Sequence, residues 1–503
     1  MTETVEPIGS TKRVTVNVAA NTLSTLLNAF CGFLILPFLI SKLGRETYGV
    51  WTLIVASAGY FLILDFGLSA AVGRLVAGYR SRDDLDNINT VISTTAFLLV
   101  GICALVTLIS FFIYIPFFGL FEVPTGEKAD VAFALLIVGV TTALSFPGMI
   151  SYGFLWGYER FDLHNLVEIP VVLLRTGLTL FLIRSDSHLT ELAYIVSGTS
   201  IAGYVARTAM CWWVEPRLRL GLRYFSVKAL TDMFVFGIWF GLLNLSRSVL
   251  PNVAQFVTGH ILGPAAVTTY TIPRMLTSYA NWVMVSATQA LAPQAAIYHF
   301  ASDRERQKNL FILGGSYTWA LSLFVLGGAV FFGFEILSLW QGAPQVEEYH
   351  LLMILMLGEV IPLSQWITYN MIVSMGVHRR LAILGVLEAL CVLALSVLLV
   401  RVYGLLGVAV AVALSSLLFR GLLQLRYGCQ LVDISLSRYA RSVFLPVALS
   451  SLPAFAAIAV YRFYVPADSW LMLAVSTAVY AGAYGLCVLP MLRHLAGRRA
   501  AAA

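Results

Sequence analysis

The chain has 503 residues, 59% of them hydrophobic and only 12% charged, with a net charge of +6 and a mean hydropathy of +0.84. A soluble domain carries about 25% charged residues, so half that share leaves too little polar surface to solvate a globule of this length. The composition therefore excludes a soluble protein and gives a polytopic membrane protein, whose modest positive charge reflects loop topology and does not argue for nucleic acid.

In chain order, residues 1–15 are polar, and the apolar run that follows is long and interrupted by Asn17, Asn21 and Asn28, which is not the pattern of a cleaved signal peptide. A run of about 20 apolar residues crosses a hydrocarbon core of about 30 Å as a helix. About fourteen such runs follow: 16–40, 48–72, 90–115, 131–155, 163–184, 190–214, 232–262, 265–296, 310–334, 349–375, 380–401, 404–426, 442–461 and 468–491. The expected fold is an all-α bundle with short loops, which leave no room for a soluble catalytic domain. With the N-terminus inside, the inner segments hold most of the basic residues, among them Arg80, Arg82, Arg217, Arg219, Arg223, Lys228, Arg304, Arg306, Lys308, Arg420, Arg426, Arg438 and Arg441. The outer segments keep Lys42, Arg45, Lys128, Arg184, Arg401 and Arg462, which places both termini on the cytoplasmic side.

The organising stretch is 36–74, LPFLISKLGRETYGVWTLIVASAGYFLILDFGLSAAVGR, a polar turn between two apolar helices. Shifted by 219 residues, Leu43-Gly44 falls on Leu262-Gly263, Trp51 on Tyr270 and Asn28 on Arg247. A shift of six helices preserves orientation and predicts a parallel repeat. Two pseudo-symmetric six-helix lobes around a central cavity are expected, with two extra C-terminal helices. The corresponding segments are a cytoplasmic tail (1–15), an N-lobe (16–214), a cytoplasmic linker (215–230), a C-lobe (231–426), a cytoplasmic loop (427–440), helices 13 and 14 (441–492) and a cytoplasmic tail (493–503).

The same stretch resembles the N-terminal signature of the Wzx-type polysaccharide flippases, which belong with the lipid II flippases and MATE exporters in the MOP superfamily. The proline before the turn, the LGRETYGVW core, and Asp65, Gly67, Leu68 and Ser69 running to Arg74 carry the likeness. VTGHILGPAAVTTYTIPRMLTSY (257–279) is similar to the start of that family's second half. The resemblance implies a secondary transporter, not an enzyme, in the bacterial cytoplasmic membrane. It would move an undecaprenyl-pyrophosphate-linked oligosaccharide outward for O-antigen, capsule or exopolysaccharide synthesis. Its partners would be the lipid-linked glycan, membrane lipids and a polysaccharide polymerase with its export machinery, with no nucleic acid. Arg74 would stand at the inner gate.

Polar groups inside the spans are the candidate site. Asn17, Asn21, Ser24, Thr25 and Asn28 share one face of helix 1; helix 7 repeats the stripe with Asn244, Arg247, Ser248, Asn252 and Gln255, and helix 8 adds Arg274, Ser278 and Asn281. Small polar residues also serve as glue between membrane helices. Arginine is different, because each one at mid-membrane costs roughly 2.5–3.5 kcal/mol. Arg175 has Glu168 seven residues back on its own face, and Arg207 can snorkel to the inner surface. Arg247 and Arg274 have no acidic residue within their own helices, and with Asn21, Asn28 and Asn252 are expected to line an anion-binding cavity. Asp65, Glu359 and Glu388 either pair with arginines across helices or bind a coupling proton or Na⁺.

The six cysteines and seven histidines are dispersed, so neither a metal nor another cofactor is expected. No GxxxxGK[ST] motif signals ATP hydrolysis. A MATE-like cation exporter would favour acidic or aromatic groups where Arg247 and Arg274 stand. A membrane polysaccharide polymerase would need a more polar outer loop than 116–130, which has only Glu122, Glu127, Lys128 and Asp130.

Overall fold

The computed structural model describes residues 11–123, 125–289, 292–343 and 345–500; within these, side chains are left out at 11–19, 125, 235, 236, 240, 247–251, 289, 292, 293, 300 and 498–500. Among the described residues there are helices and turns and no strand. Among the described residues, nine helical stretches are long and apolar enough to cross a membrane, and two of them, Ala20–Asp65 and Arg379–Leu431, have the length of two crossings each. Each of the fourteen apolar runs is helical over most of its described residues. The chain is an all-α polytopic membrane protein, and its contacts divide it into two compact units, 1–249 with 263–265, and 250–262 with 266–503.

The first unit begins with α1 (Thr11–Phe61), broken at Gly44, where φ is 82° and ψ is 165°. Only glycine adopts that conformation without strain. The second Leu-Gly turn repeats it, with Gly263 at φ 87° and ψ 171°. A 3₁₀ turn (Leu62–Asp65) and the left-handed pair Phe66–Gly67 lead into α2 (Leu68–Arg80). Then follow α3 (Leu85–Ser110), α4 (Tyr114–Leu120), α5 (Lys128–Gly157), α6 (Phe161–Leu182), α7 (Leu189–Val214) and the first part of α8 (Val227–Leu262). Caps on water-facing ends follow the usual chemistry: Asp84 accepts from the Asn87 amide before α3, and Ser226 from Ala229 before α8.

Helix α5 is the axis of this unit, packed on α2, α3 and α7 over a core that includes Leu68, Val72, Leu99, Phe146 and Phe154. Without a hydrophobic drive inside lipid, such contact depends on close approach of small residues. A Cβ on Gly153 would lie 2.6 Å from the Ser69 carbonyl oxygen, and one on Gly157 would lie 2.8 Å from that of Gly73. We therefore expect Gly153→Leu to push α2 off α5 and destabilise the unit by about 1–3 kcal/mol. A thermal melt in detergent checks this; an unchanged midpoint would remove the close-packing argument. At the ends of these helices, Arg80 lies 4.7 Å from the Tyr158 ring centroid, Tyr158 donates to Glu215, and Arg217 Nε donates to Glu215 at 2.8 Å. The Arg217 bond holds the Glu215 carboxyl below its usual range.

The second unit takes the end of α8, then α9 (Pro264–Gln289), α10 (Ala292–Phe300), α11 (Arg304–Gln341), α12 (Val346–Ser364) and α13 (Trp366–Ser374). Helix α14 (Arg379–Ser416) bends at Gly404 and runs through a π turn (Leu417–Leu423) into α15 (Gln424–Leu431). The last elements are α16 (Leu436–Tyr439), a second π turn (Ala440–Phe444), α17 (Leu445–Tyr464) and α18 (Trp470–Ala500). Its core is aromatic around α11, and three of its polar tips find carbonyls: Trp319 donates to Phe444 O, Tyr480 to Phe324 O and Tyr484 to Ala320 O.

Candidate functional site: a charge cluster within the second unit

Pro362 interrupts one apolar run, and α12 gives way to α13 at Gln365. A break at this depth frees backbone carbonyls that must be satisfied by protein. They are: Ser322 donates to Val360 O, Thr318 to Ser364 O at 2.7 Å, and Gln424 to Gln365 O at 2.9 Å. On the other side of the break, Trp366 donates to Asn281 and Asn370 to Thr288, so α9 turns its polar face toward α13.

Four charges meet beside this break. Glu359 comes from α12, Glu388 from α14, Arg274 from α9 and Arg420 from the π turn. A Cβ on Gly358 would fall on Ala413, which shows how closely the two backbones approach and why Glu359 reaches the other helix. Arg420 Nη1 and Nη2 grip Glu359 at 3.0 and 2.6 Å, its Nε donates to Glu388 at 2.9 Å, and Nη2 also contacts Ser416. Ser416 adds a bond to Glu359 at 3.1 Å. Both carboxylates are sealed from solvent, 1% and 3% exposed. π turns insert one residue into a helix and are frequent at functional sites; this one carries the arginine that joins the two acids.

Arg274 is held differently. Its nearest carboxylate oxygen, on Glu359, is 3.7 Å away, its Nη1 makes a long bond of 3.3 Å to Thr277, and its Nε has no partner. The cluster holds two arginines and two glutamates, so its formal charge is zero when all four are ionised. The hydrogen bonds are distributed unevenly: Arg420 is well supplied and Arg274 is poorly supplied. An under-bonded guanidinium presents a planar fork of donors suited to phosphate or carboxylate oxygens.

The structure thus brings Arg274, Glu359 and Glu388 together. Arg420, which the loop count assigns to the inner surface, lies inside this cluster. The run from Gly404 continues as helix to Leu431, which sets Arg420 well within the span. Its spacing of four from Ser416 and the apolar residues on both sides were the available signals. Arg247 is on α8, but its side chain lies outside the described residues, as do those of Asn17 and Ser248. Asn252 is half-buried on α8.

The other expected residues fall in the first unit. Asn21 accepts from Asn165 at 2.6 Å, and Asn28 donates to its own helix at Ser24 O. Asp65 caps the start of α2, accepting from the Ser69 hydroxyl at 2.7 Å and the Ser69 amide at 3.3 Å. Arg74 is exposed on α2 and lines a cleft of about 450 Å³ with Trp156, Glu159 and Phe161. Two expectations are corrected here. Glu168 pairs with Arg207 at 2.7 Å and not with Arg175, so Arg207 is anchored inside the bundle and does not snorkel. Arg175 instead donates to Thr199 and Ser200 on α7. Seven residues along one helix separate two groups by about 10 Å, whereas the neighbouring helix is closer.

This helix order and this buried charge set define an all-α polytopic membrane protein with ion pairs held inside its helix bundle. The polysaccharide biosynthesis protein family matches residues 14–299, more than half of the chain, and the chain belongs to that family. It is 24% identical over 399 residues to a Shigella flexneri protein described as "Putative O-antigen transporter", covering 78% of this chain and 92% of that one. The fold resembles the lipid II flippase MurJ in an inward closed conformation, with a TM-score of 0.72 and 14% identity over 96% of this chain and 99% of the other. It also resembles an inward-facing MATE-family multidrug resistance transporter of the MOP superfamily, with a TM-score of 0.68 and 15% identity over 83% and 98%.

Proposed function

We propose that this protein flips an undecaprenyl-pyrophosphate-linked oligosaccharide from the inner to the outer face of the bacterial cytoplasmic membrane, for assembly of a surface polysaccharide. Both termini are cytoplasmic in this reading, which follows from the inner bias of Lys and Arg in the loops. The observation that carries it is the under-bonded guanidinium of Arg274 deep in the membrane. Two buried carboxylates stand nearby, and Arg420 makes the three shortest hydrogen bonds to them, which leaves Arg274 as the loosely held second counter-charge at 3.7 Å. An arriving anion therefore meets available donors on Arg274 without displacing a strong ion pair. The membrane potential favours the direction: one negative charge moved outward releases about 2.3 kcal/mol per 100 mV. Family membership and the O-antigen transporter relative support the class of cargo. A cation exporter finds little support, since both exposed edges of the cluster are arginine (Arg420 32% and Arg274 15% exposed).

The test is made in cells lacking this protein. Polyprenyl-linked glycans are extracted and assigned to a membrane face by their accessibility to an impermeant glycosidase. Build-up of one such lipid on the cytoplasmic face, cleared by the wild-type gene, is the expected result. Accumulation on the outer face, or no accumulation with altered tolerance to cationic drugs, would reject the proposal.

A further inference from the structure

Among the described residues, charge accounting inside the α6–α7 contact leaves one arginine over. Helix α6 carries Asn165, Glu168 and Arg175 along one side, and each is tied to a neighbour: Asn165 to Asn21, Glu168 to Arg207 and Arg175 to α7. Glu168 and Arg207 neutralise one another. Arg175 has only hydroxyl partners, Thr199 Oγ1 at 3.1 Å from its Nε and Ser200 Oγ at 2.9 Å from its Nη2. Those hydroxyls direct their own protons into the carbonyls of Ile195 and Val196, so they turn lone pairs toward the guanidinium and orient it without neutralising it. Nη1 has no protein acceptor among the described residues, and the side chain is only half-buried. The result is a fixed fork with a full positive charge and one open edge.

Its depth is informative. Glu168 and Arg207 meet about two helical turns from the Phe161 end of α6, whereas Arg175 lies about two turns, roughly 10 Å, from the Leu182 end. In the orientation proposed above, on which this inference rests, the Leu182 end is the outer one. We propose that Arg175 is a second anion station, which binds the phosphate oxygens of the lipid-linked pyrophosphate in the outer half of its path. Thr199 and Ser200 are its positioning residues.

Purified full-length protein is tested by native mass spectrometry for binding of undecaprenyl pyrophosphate, with uncharged undecaprenol and phosphatidylglycerol as parallel probes. Arg175→Gln is expected to lower the undecaprenyl pyrophosphate affinity about tenfold, as for loss of one charge-assisted bond, and to leave undecaprenol unchanged. If Arg175→Gln matches wild type while Arg274→Gln loses affinity, the Arg175 station is rejected and the flippase reading stands. If wild type shows no preference for the pyrophosphate over undecaprenol, both fail. If Arg175→Gln loses only phosphatidylglycerol, the site belongs to a bulk phospholipid and the proposal is overturned. Should Arg175→Gln not fold, the Thr199→Val/Ser200→Ala variant keeps the charge but frees the fork. A several-fold loss is then expected, and an unchanged affinity rejects the proposal.

Discussion

Arg420→Met is expected to destroy most of the folded protein. The substitution removes the guanidinium that holds Glu359 by two bonds and Glu388 by one, and it leaves two carboxylates, 1% and 3% exposed, with Arg274 alone at 3.7 Å. Breaking a buried ion pair by removing one partner costs roughly 3–5 kcal/mol, because the surviving charge has lost its compensation. A domain's whole stability is about 5–15 kcal/mol, so the loss decides whether the protein accumulates. The readout is the monodisperse peak of a fluorescent fusion in size-exclusion chromatography. The control is the quadruple variant Arg420→Met/Arg274→Gln/Glu359→Gln/Glu388→Gln, which removes all four charges together and is expected to recover the peak. Replacing a whole buried ion pair by neutral groups of similar volume is often close to neutral. Full recovery of folding with Arg420→Met alone would show that Arg420 is not the counter-ion of this cluster.

That arginine also marks the limit of what sequence reveals here. The helices were legible because lipid demands continuous apolar runs with internally bonded backbones, and the run lengths state this directly. The two Leu-Gly turns were legible as a pair, and their glycines share one backbone conformation. Arg274, Glu359 and Glu388 stood out because a charge inside an apolar run is costly. Arg420 did not, since a residue near the end of a hydropathy window reads as loop, and its two partners lie 61 and 32 residues back on other helical faces. The Glu168–Arg175 pairing failed for a related reason. A shared helical face says which way side chains point, but two turns of rise separate them, and Arg207 across the α6–α7 contact lay within reach. Composition and periodicity report on one helix at a time; ion pairs in a bundle are settled between helices.

Arg274→Gln is expected to give the opposite phenotype within the same cluster: a folded protein that does not transport. Glu359 keeps three hydrogen bonds when Arg274 is removed, two from Arg420 and one from Ser416. The lost contacts are an ion pair at 3.7 Å and a 3.3 Å bond to Thr277, both at the weak end of their kinds. The size-exclusion peak and melting temperature should therefore stay near wild type. A charge-assisted bond to a phosphate oxygen contributes about 1.5–3 kcal/mol, so losing it should slow transport on the order of 10- to 100-fold. Arg274→Lys separates charge from shape. An ammonium keeps the attraction but not the planar fork that engages two oxygens together, so its rate should fall between those of wild type and Arg274→Gln. The measurement is the fraction of lipid-linked glycan exposed on the outer face at matched expression. Wild-type exposure with Arg274→Gln would move the anion site elsewhere in the chain. Loss of the folded peak would make Arg274 a structural counter-ion like Arg420. The distances separate the two arginines, one saturated at 2.6–3.0 Å and one left at 3.7 Å from its nearest carboxylate, and on that difference rests the proposed division between a residue that holds the bundle together and a residue that meets the cargo.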